Sequence, residues 1–216
     1  MSYAFDDLGL PVAYDLLIDP EFPSAGIWSD RVQHFHRDAL CDSTEPFRST
    51  WGAPVVVRVE PNHSSAWIGM AEAGGAGTPT QMVAGPDPNQ LIVVNEGVAY
   101  LIDVTRPGDY NAIKLMPILA VRSISDLRLV LLSSFTALVA IDKKGVCWRT
   151  DRLVLDDLRI LRAGTEGIVV TGSTVEGLVD FETTIDPRTG RILSQPDAAS
   201  LPEPVRDRDH WERAAE

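Results

Sequence analysis

Cysteine is nearly absent: of 216 residues, only Cys41 and Cys147 carry a thiol. Two thiols so far apart make no disulfide framework, which removes the small stapled scaffolds from consideration. Lysine is almost as scarce, with Lys114, Lys143 and Lys144 standing against 16 arginines. That imbalance fits a GC-rich coding composition and points to a bacterial source. Long apolar runs are missing too, since no segment approaches the roughly 18 uninterrupted apolar residues of a membrane-spanning helix. The opening "MSYAFDDLGLPVAYDLL" has two early acids and no basic stretch, unlike a secretory signal. The expectation is a cytoplasmic protein without a membrane partner. Positive charge is short overall: 19 Lys and Arg against 31 Asp and Glu leave a net charge of −12 and a pI near 4.7. Nucleic acid and anionic membranes are themselves negative, so this balance argues against both and suits a basic protein partner.

What remains is an ordinary globular composition, 44% hydrophobic and 23% charged, enough to bury a sizeable core. Residues 1–50 mix short apolar runs with Pro, Asp and Ser and hold no period; one or two strands are expected there, available as an extra β element. From Trp51 the chain turns to short runs rich in Val, Ile and Leu between turn signals, the pattern of an all-β domain over 51–195. Helix is scarce. The tail 196–216 is rich in Pro, Ala and charge, and only "RDRDHWERAAE" has a helical pattern, with Trp211 as a docking residue.

The repeat region is self-similar. "PVVVRVE" begins at 54, "LIVVNEG" at 91, "LVLLSSF" at 129 and "IVVTGST" at 168, so a strongly apolar strand recurs at intervals of 37, 38 and 39 residues. A second strand follows each one: "AWIGM", "VAYLIDV", "TALVAID" and "GLVDFETTI". Later hairpins such as "KGVCWRTDRLVL" with "LRILRAG" are more mixed and belong at the periphery of a unit. A unit of about 40 residues with three or four strands is the size of a propeller blade. In period and strand layout, residues 53–195 resemble β-propeller repeat proteins, the WD-repeat group among them. The resemblance implies about four antiparallel blade-like units forming a small or incomplete propeller. The Gly-His pair and closing Trp-Asp of the WD signature do not recur, so no binding surface is carried over. An open stack exposes strand edges, which makes a homodimer an expected partner state.

Three second strands carry an aspartate at matching places, Asp103, Asp142 and Asp180. Such carboxylates either cap turns, as in "IDKKG" and "IDPRTG", or converge on a common surface to hold a ligand or cation. His34 and His36 lie two apart and would face one way on a strand, with Asp38 next in line and Cys41 nearby, a set of the divalent-metal type. Asp180 and Glu182 share a strand face about 7 Å apart, a spacing compatible with acid/base work. No G-x-S-x-G occurs, and the glycine-rich "AEAGGAGTPT" lacks the lysine of a phosphate loop. Cys147, inside a strand, reads as a buried and inert thiol. Trp28, Tyr100 and Tyr110 are candidates for the rim of a recognition face, with loops 72–89 and 105–112 beside them. No cofactor is implied. The leading expectation is a non-enzymatic module that binds a basic protein, in the manner of an immunity protein against a cationic toxin. The alternative is a small-ligand-binding or metal-dependent hydrolytic protein using the carboxylates or the His34/His36 face.

Overall fold

Short apolar runs separated by Gly, Pro and Asp turns become strands throughout the computed structural model, which describes residues 4–37, 52–173 and 180–194. Among these residues there is no α-helix, and one 3-10 turn covers Ser125–Leu127. The fold is all-β, as expected. In chain order the strands are β1 (Phe5–Asp6), β2 (Tyr14–Ile18), β3 (Arg31–Phe35), β4 (Val55–Pro61), β5 (Trp67–Ala71), β6 (Gln81–Ala84), β7 (Gln90–Asn95), β8 (Val98–Asp103) and β9 (Asn111–Ala112). The second half continues with β10 (Ala120–Ile124), β11 (Leu129–Ser133), β12 (Leu138–Asp142), β13 (Gly145–Arg149), β14 (Asp156–Gly164), β15 (Gly167–Ser173), β16 (Asp180–Ile185) and β17 (Ile192–Ser194). They form four sheets, ordered β2-β4-β5-β3, β1-β6-β7-β8-β9, β10-β11-β12-β13 and β14-β15-β16-β17. The four repeats are the central hairpins, β4–β5, β7–β8, β11–β12 and β15–β16.

The N-terminal segment supplies extra β elements: β2 pairs antiparallel with β4 and β3 parallel with β5, completing the first sheet, while β1 pairs parallel with β6 in the second. One expectation needs correction: "KGVCW" and "LRILRAG" do not share a unit, because β13 ends the third sheet and β14 opens the fourth. Of the small and the incomplete arrangement the structure takes the open one, and the sheets do not close into a ring. Three buried clusters join first to second, second to third and third to fourth sheets, and among the described residues no fourth cluster joins the last sheet to the first. The expected C-terminal helix with Trp211 lies outside the described residues.

Position in this row explains the sequence of each sheet. Leu91 to Asn95, Val98 to Ile102 and Leu129 to Ser133 are buried without interruption, because the second and third sheets are covered on both faces. In the first sheet burial alternates instead: Val55, Val57 and Val59 face the core while Val56, Arg58 and Glu60 face outward.

Each junction also carries one side-chain hydrogen bond of the same kind. The Trp67 indole N–H in the first sheet donates to the carbonyl of Val104, which follows Asp103, at 2.8 Å. The Gln90 amide in the second sheet donates to the carbonyl of Lys143, which follows Asp142, at 3.2 Å. The Trp148 indole in the third sheet donates to the carbonyl of Pro187, which follows Asp186, at 2.8 Å. Each bond contributes about 1 kcal/mol net, well below the 2 to 5 kcal/mol that truncating one core aliphatic removes, so the apolar clusters supply the stability. Accordingly Ile92→Ala and Leu132→Ala, in the cluster between second and third sheets, are expected to cost about 3 kcal/mol each in urea unfolding. Leu17→Ala, on the outer surface, should stay within about 0.5 kcal/mol, and equal losses at all three sites would contradict the layered packing.

Candidate protein-binding face

The repeated aspartates prove to be turn caps. Asp103 Oδ1 accepts the Thr105 N–H at 3.0 Å and Asp142 Oδ1 accepts the Lys144 N–H at 2.7 Å. The fourth member is Asp186, whose Oδ1 accepts the Arg188 N–H at 2.7 Å. Asp180 opens β16 instead of ending it, pairing through its backbone with Ser173, so it is not the counterpart of the other two. The dipeptide Ile-Asp marks the true set: Ile102, Ile141 and Ile185 are all fully buried just before the turn. Burial raises the Asp103 carboxyl, but hydrogen bonds from Thr105 and Arg106 outweigh it and hold it below the ordinary value. The Arg188 N–H does the same for Asp186. These carboxylates do not converge. Asp103 is spent on Thr105 and on a 2.9 Å ion pair with Arg106, at the edge of a polar groove of about 410 Å³ that also presents Asp87, Asn89, Lys143 and Lys144.

The outer face of the first sheet is different in kind. Strands β2 and β3 run the same way at opposite edges, so residues 19–30 must cross back along the sheet, as parallel strands require. The crossing is tied at both ends, in the plane of the sheet at its start and on the outer face at its end. Asp19 N–H donates to the Val56 carbonyl at 2.8 Å, and Asp30 Oδ2 meets Arg58 Nε at 2.8 Å, with Glu60 Oε2 at 2.8 Å from Nη1 of the same arginine. Ile68 points to this side, between Val32 and Arg58 across the sheet, yet is fully buried. Trp28 stacks edge-on against Phe22 with centroids 5.3 Å apart, and its indole N–H is buried without a hydrogen-bond partner.

Above this layer the crossing exposes apolar groups. Phe22 is 59% exposed, Ile27 74% and the outward Leu17 of β2 54%. Asp15, Asp19, Glu21 and Glu60 are exposed as well, and residues 15–30 contain four acids and no Lys or Arg. Exposed apolar and aromatic groups in company with polar ones are what a protein interface is made of. Trp28 is the one aromatic candidate that belongs to it. Leu17, Phe22 and Ile27 were not singled out by sequence; the signal was the base-free acidic run around them.

The other candidates are placed elsewhere. Tyr100 is fully buried and donates to the Glu72 carbonyl at 3.0 Å, so it is core and rims no surface. Tyr110 is half-buried against Phe35, 5.1 Å between centroids, and its hydroxyl accepts the His36 N–H at 3.1 Å. His34 and His36 stand 6.2 Å apart, ring to ring, but Asp38 and Cys41 lie outside the described residues. No group of three or more His, Cys, Asp or Glu is placed for a metal ion among the described residues. The Asp180 side chain also lies outside them, so its pairing with Glu182 has no structural account. Cys147 corrects another expectation: it is exposed on the edge strand β13 rather than buried. Its thiol is nevertheless pushed up by partial desolvation and by Asp142, the opposite of an activated nucleophile. Within loops 72–89, proposed for the recognition face, Ala73, Gly85 and Pro86 are buried.

Neither a protein-family model nor a curated protein sequence matches the chain. Among the described residues no helix is long and apolar enough to cross a membrane.

Two measurements check the placements. Asp186→Ala, which removes a turn cap, is expected to lower stability by about 1 kcal/mol in chemical denaturation, and Asp180→Ala by much less; the reverse order would restore Asp180 to the repeat. Burial, and then His36, lowers the His34 pKa, so below the unfolded value of about 6.5 the unfolded chain takes up a proton first. Stability should therefore fall as pH drops from about 6.5, and His34→Gln should flatten that slope. An unchanged slope would remove His34 from the account.

Proposed function

We propose that this is a non-enzymatic protein-binding module of the bacterial cytoplasm, docking a basic protein on the outer face of its first sheet. A partner that must be neutralised, as an immunity protein neutralises a cationic toxin, suits the arrangement. The observation that carries the reading is the exposure of Leu17 on the outer face of the first sheet and of Phe22 and Ile27 on its crossing, together with the exposed acids Asp15, Asp19, Glu21 and Glu60. Exposed aromatic and aliphatic groups give binding energy once a partner excludes water. The acids speed the encounter with a cationic partner and reject anionic ones. The net charge of −12 extends the same field over the whole molecule.

A second reading is supported by the groove between the second and third sheets. Lys143 and Lys144 make no ion pair among the described residues and face Asn89, Asp87 and the Asp103–Arg106 pair across it. Opposite charges on facing walls suit a small zwitterionic ligand.

The two are separated by capture on immobilised protein from the native cell, at low and moderate salt. A basic protein should be retained, less strongly as salt rises, and lost at least tenfold with Phe22→Ala or Ile27→Asp but not with Lys143→Ala/Lys144→Ala. Retention that ignores both salt and the Phe22 and Ile27 changes would sink the docking face.

A further inference from the structure

We propose that the basic partner docks by adding a strand of its own to the free edge of β2, alongside the outer face described above. Which groups of β2 are free follows from its bonds. The Asp19 N–H donates to the Val56 carbonyl at 2.8 Å and the Asn62 N–H to the Ala13 carbonyl at 3.0 Å, and both pairs continue the register that joins Asp15 to Glu60 and Leu17 to Arg58. Antiparallel strands alternate between bonded and non-bonded pairs, so Asp15 and Leu17 spend their N–H and C=O groups on β4. Those of Tyr14, Leu16 and Ile18 point the other way, and no hydrogen bond reaches them among the described residues.

The other sheet edges are each blunted in one of the ways that keep an edge from pairing. β1 and β9 are two residues long and β17 is three. Bulges interrupt the pairing of β13 and of β14 with their neighbours. On β3 the Gln33 amide covers the His34 carbonyl at 3.1 Å, and the Tyr110 hydroxyl takes the next outward N–H, that of His36, at 3.1 Å. β10 is bridged to the Leu8 turn by the Ser123 hydroxyl at 2.9 Å. β2 has no bulge, no proline and no lysine across its five residues.

The chemistry of the edge selects its occupant. Tyr14, Leu16 and Ile18 turn their side chains to the core between the first and second sheets, while Asp15 and the exposed Leu17 turn outward. A strand laid antiparallel along this edge sets apolar side chains beside Leu16 and Ile18. Beside Asp15 and Leu17 it needs an apolar stem that ends in a cation, which is lysine or arginine. The partner segment is therefore an extended run that alternates apolar and basic residues. In this mode main-chain bonds supply affinity and the alternate side chains supply selectivity. A second copy of the chain is the wrong occupant, because its residues 15–30 bring four more acids and no Lys or Arg to the same edge. The inference rests on the docking reading above, since the partner is the same.

Amide hydrogen exchange of the full chain, read by NMR, tests the edge residue by residue. Without a partner the Tyr14, Leu16 and Ile18 amides should exchange about tenfold faster than those of Asp15 and Leu17. A capped Val-Lys-Val-Lys-Val peptide, binding with a Kd of order 1 mM, should slow those three amides, and Val-Glu-Val-Glu-Val should not. Methylating the backbone nitrogens of the valines, which face β2, should abolish binding, whereas methylating those of the lysines, which face away, should leave it intact. Leu16→Pro removes an N–H that β4 does not use, so it should stay folded by circular dichroism and lose the peptide. Equal binding of the two methylated peptides, equal protection by the Lys and Glu peptides, or protection that grows with protein concentration alone would each overturn the proposal, the last by giving the edge to a second copy. Its failure is distinct from that of the docking reading. A captured basic protein lost with Phe22→Ala but kept with Leu16→Pro removes the added strand and leaves the docking face, while protection by the Lys peptide with no basic protein captured does the reverse.

Discussion

The row of sheets depends on one recurring interaction, a side-chain N–H from one sheet reaching the carbonyl just past an Ile-Asp turn in the next. The turn does two jobs at once. Its isoleucine is buried in the core, and its aspartate bends the chain by accepting the N–H two residues on, which leaves the intervening carbonyl aimed back at the previous sheet. Trp67, Gln90 and Trp148 then fill that carbonyl. A buried indole N–H without an acceptor would cost 1 to 3 kcal/mol, so each tryptophan packs well only where the turn sits in register. The apolar clusters hold the sheets together without direction; these bonds say which residue meets which.

That division of labour explains what was legible in the sequence. The period and the four central hairpins could be read, because apolar strand runs and turn residues are local signals. Asp180 was misassigned because spacing stood in for chemistry. The fourth hairpin is the longer one, so its turn falls at Asp186, and only the repeated Ile-Asp pair separates the two. Tyr100 sits in "VAYLI", a run with no polar alternation, and such a run already announces a strand covered on both faces. Its burial was readable without coordinates.

The pairings of the N-terminal segment were not readable, for a different reason. β2 finds β4, and β1 finds β6, across long stretches of intervening chain, and nothing local in "FD" or "YDLLI" names the partner. The same holds for the proposed docking face. Composition shows an acidic, base-free stretch around Leu17, Phe22 and Ile27, but it becomes a surface only because β2 and β3 run parallel at opposite edges and force residues 19–30 to cross between them. Arg58, held by Asp30 and Glu60, is where the sheet and its crossing meet.

The same charges explain why the row stays open. Closing the ring would press the outer face of the first sheet against that of the last, as the inner sheets press on each other. The inner sheets accept this because both their faces are apolar, as "LIVVN" and "LVLLS" are. The first sheet instead carries Asp15, Arg58 and Glu60 outward, and the last carries Arg159, Arg162 and Glu182. Burying ions costs several kcal/mol each unless every one is paired with good geometry, more than one further apolar junction would return. The alternation written into "VVVRVE" is therefore a stop signal for the stack, and it leaves two chemically distinct ends: the first sheet turns out acids beside the exposed Leu17, and the last turns out charges of both signs.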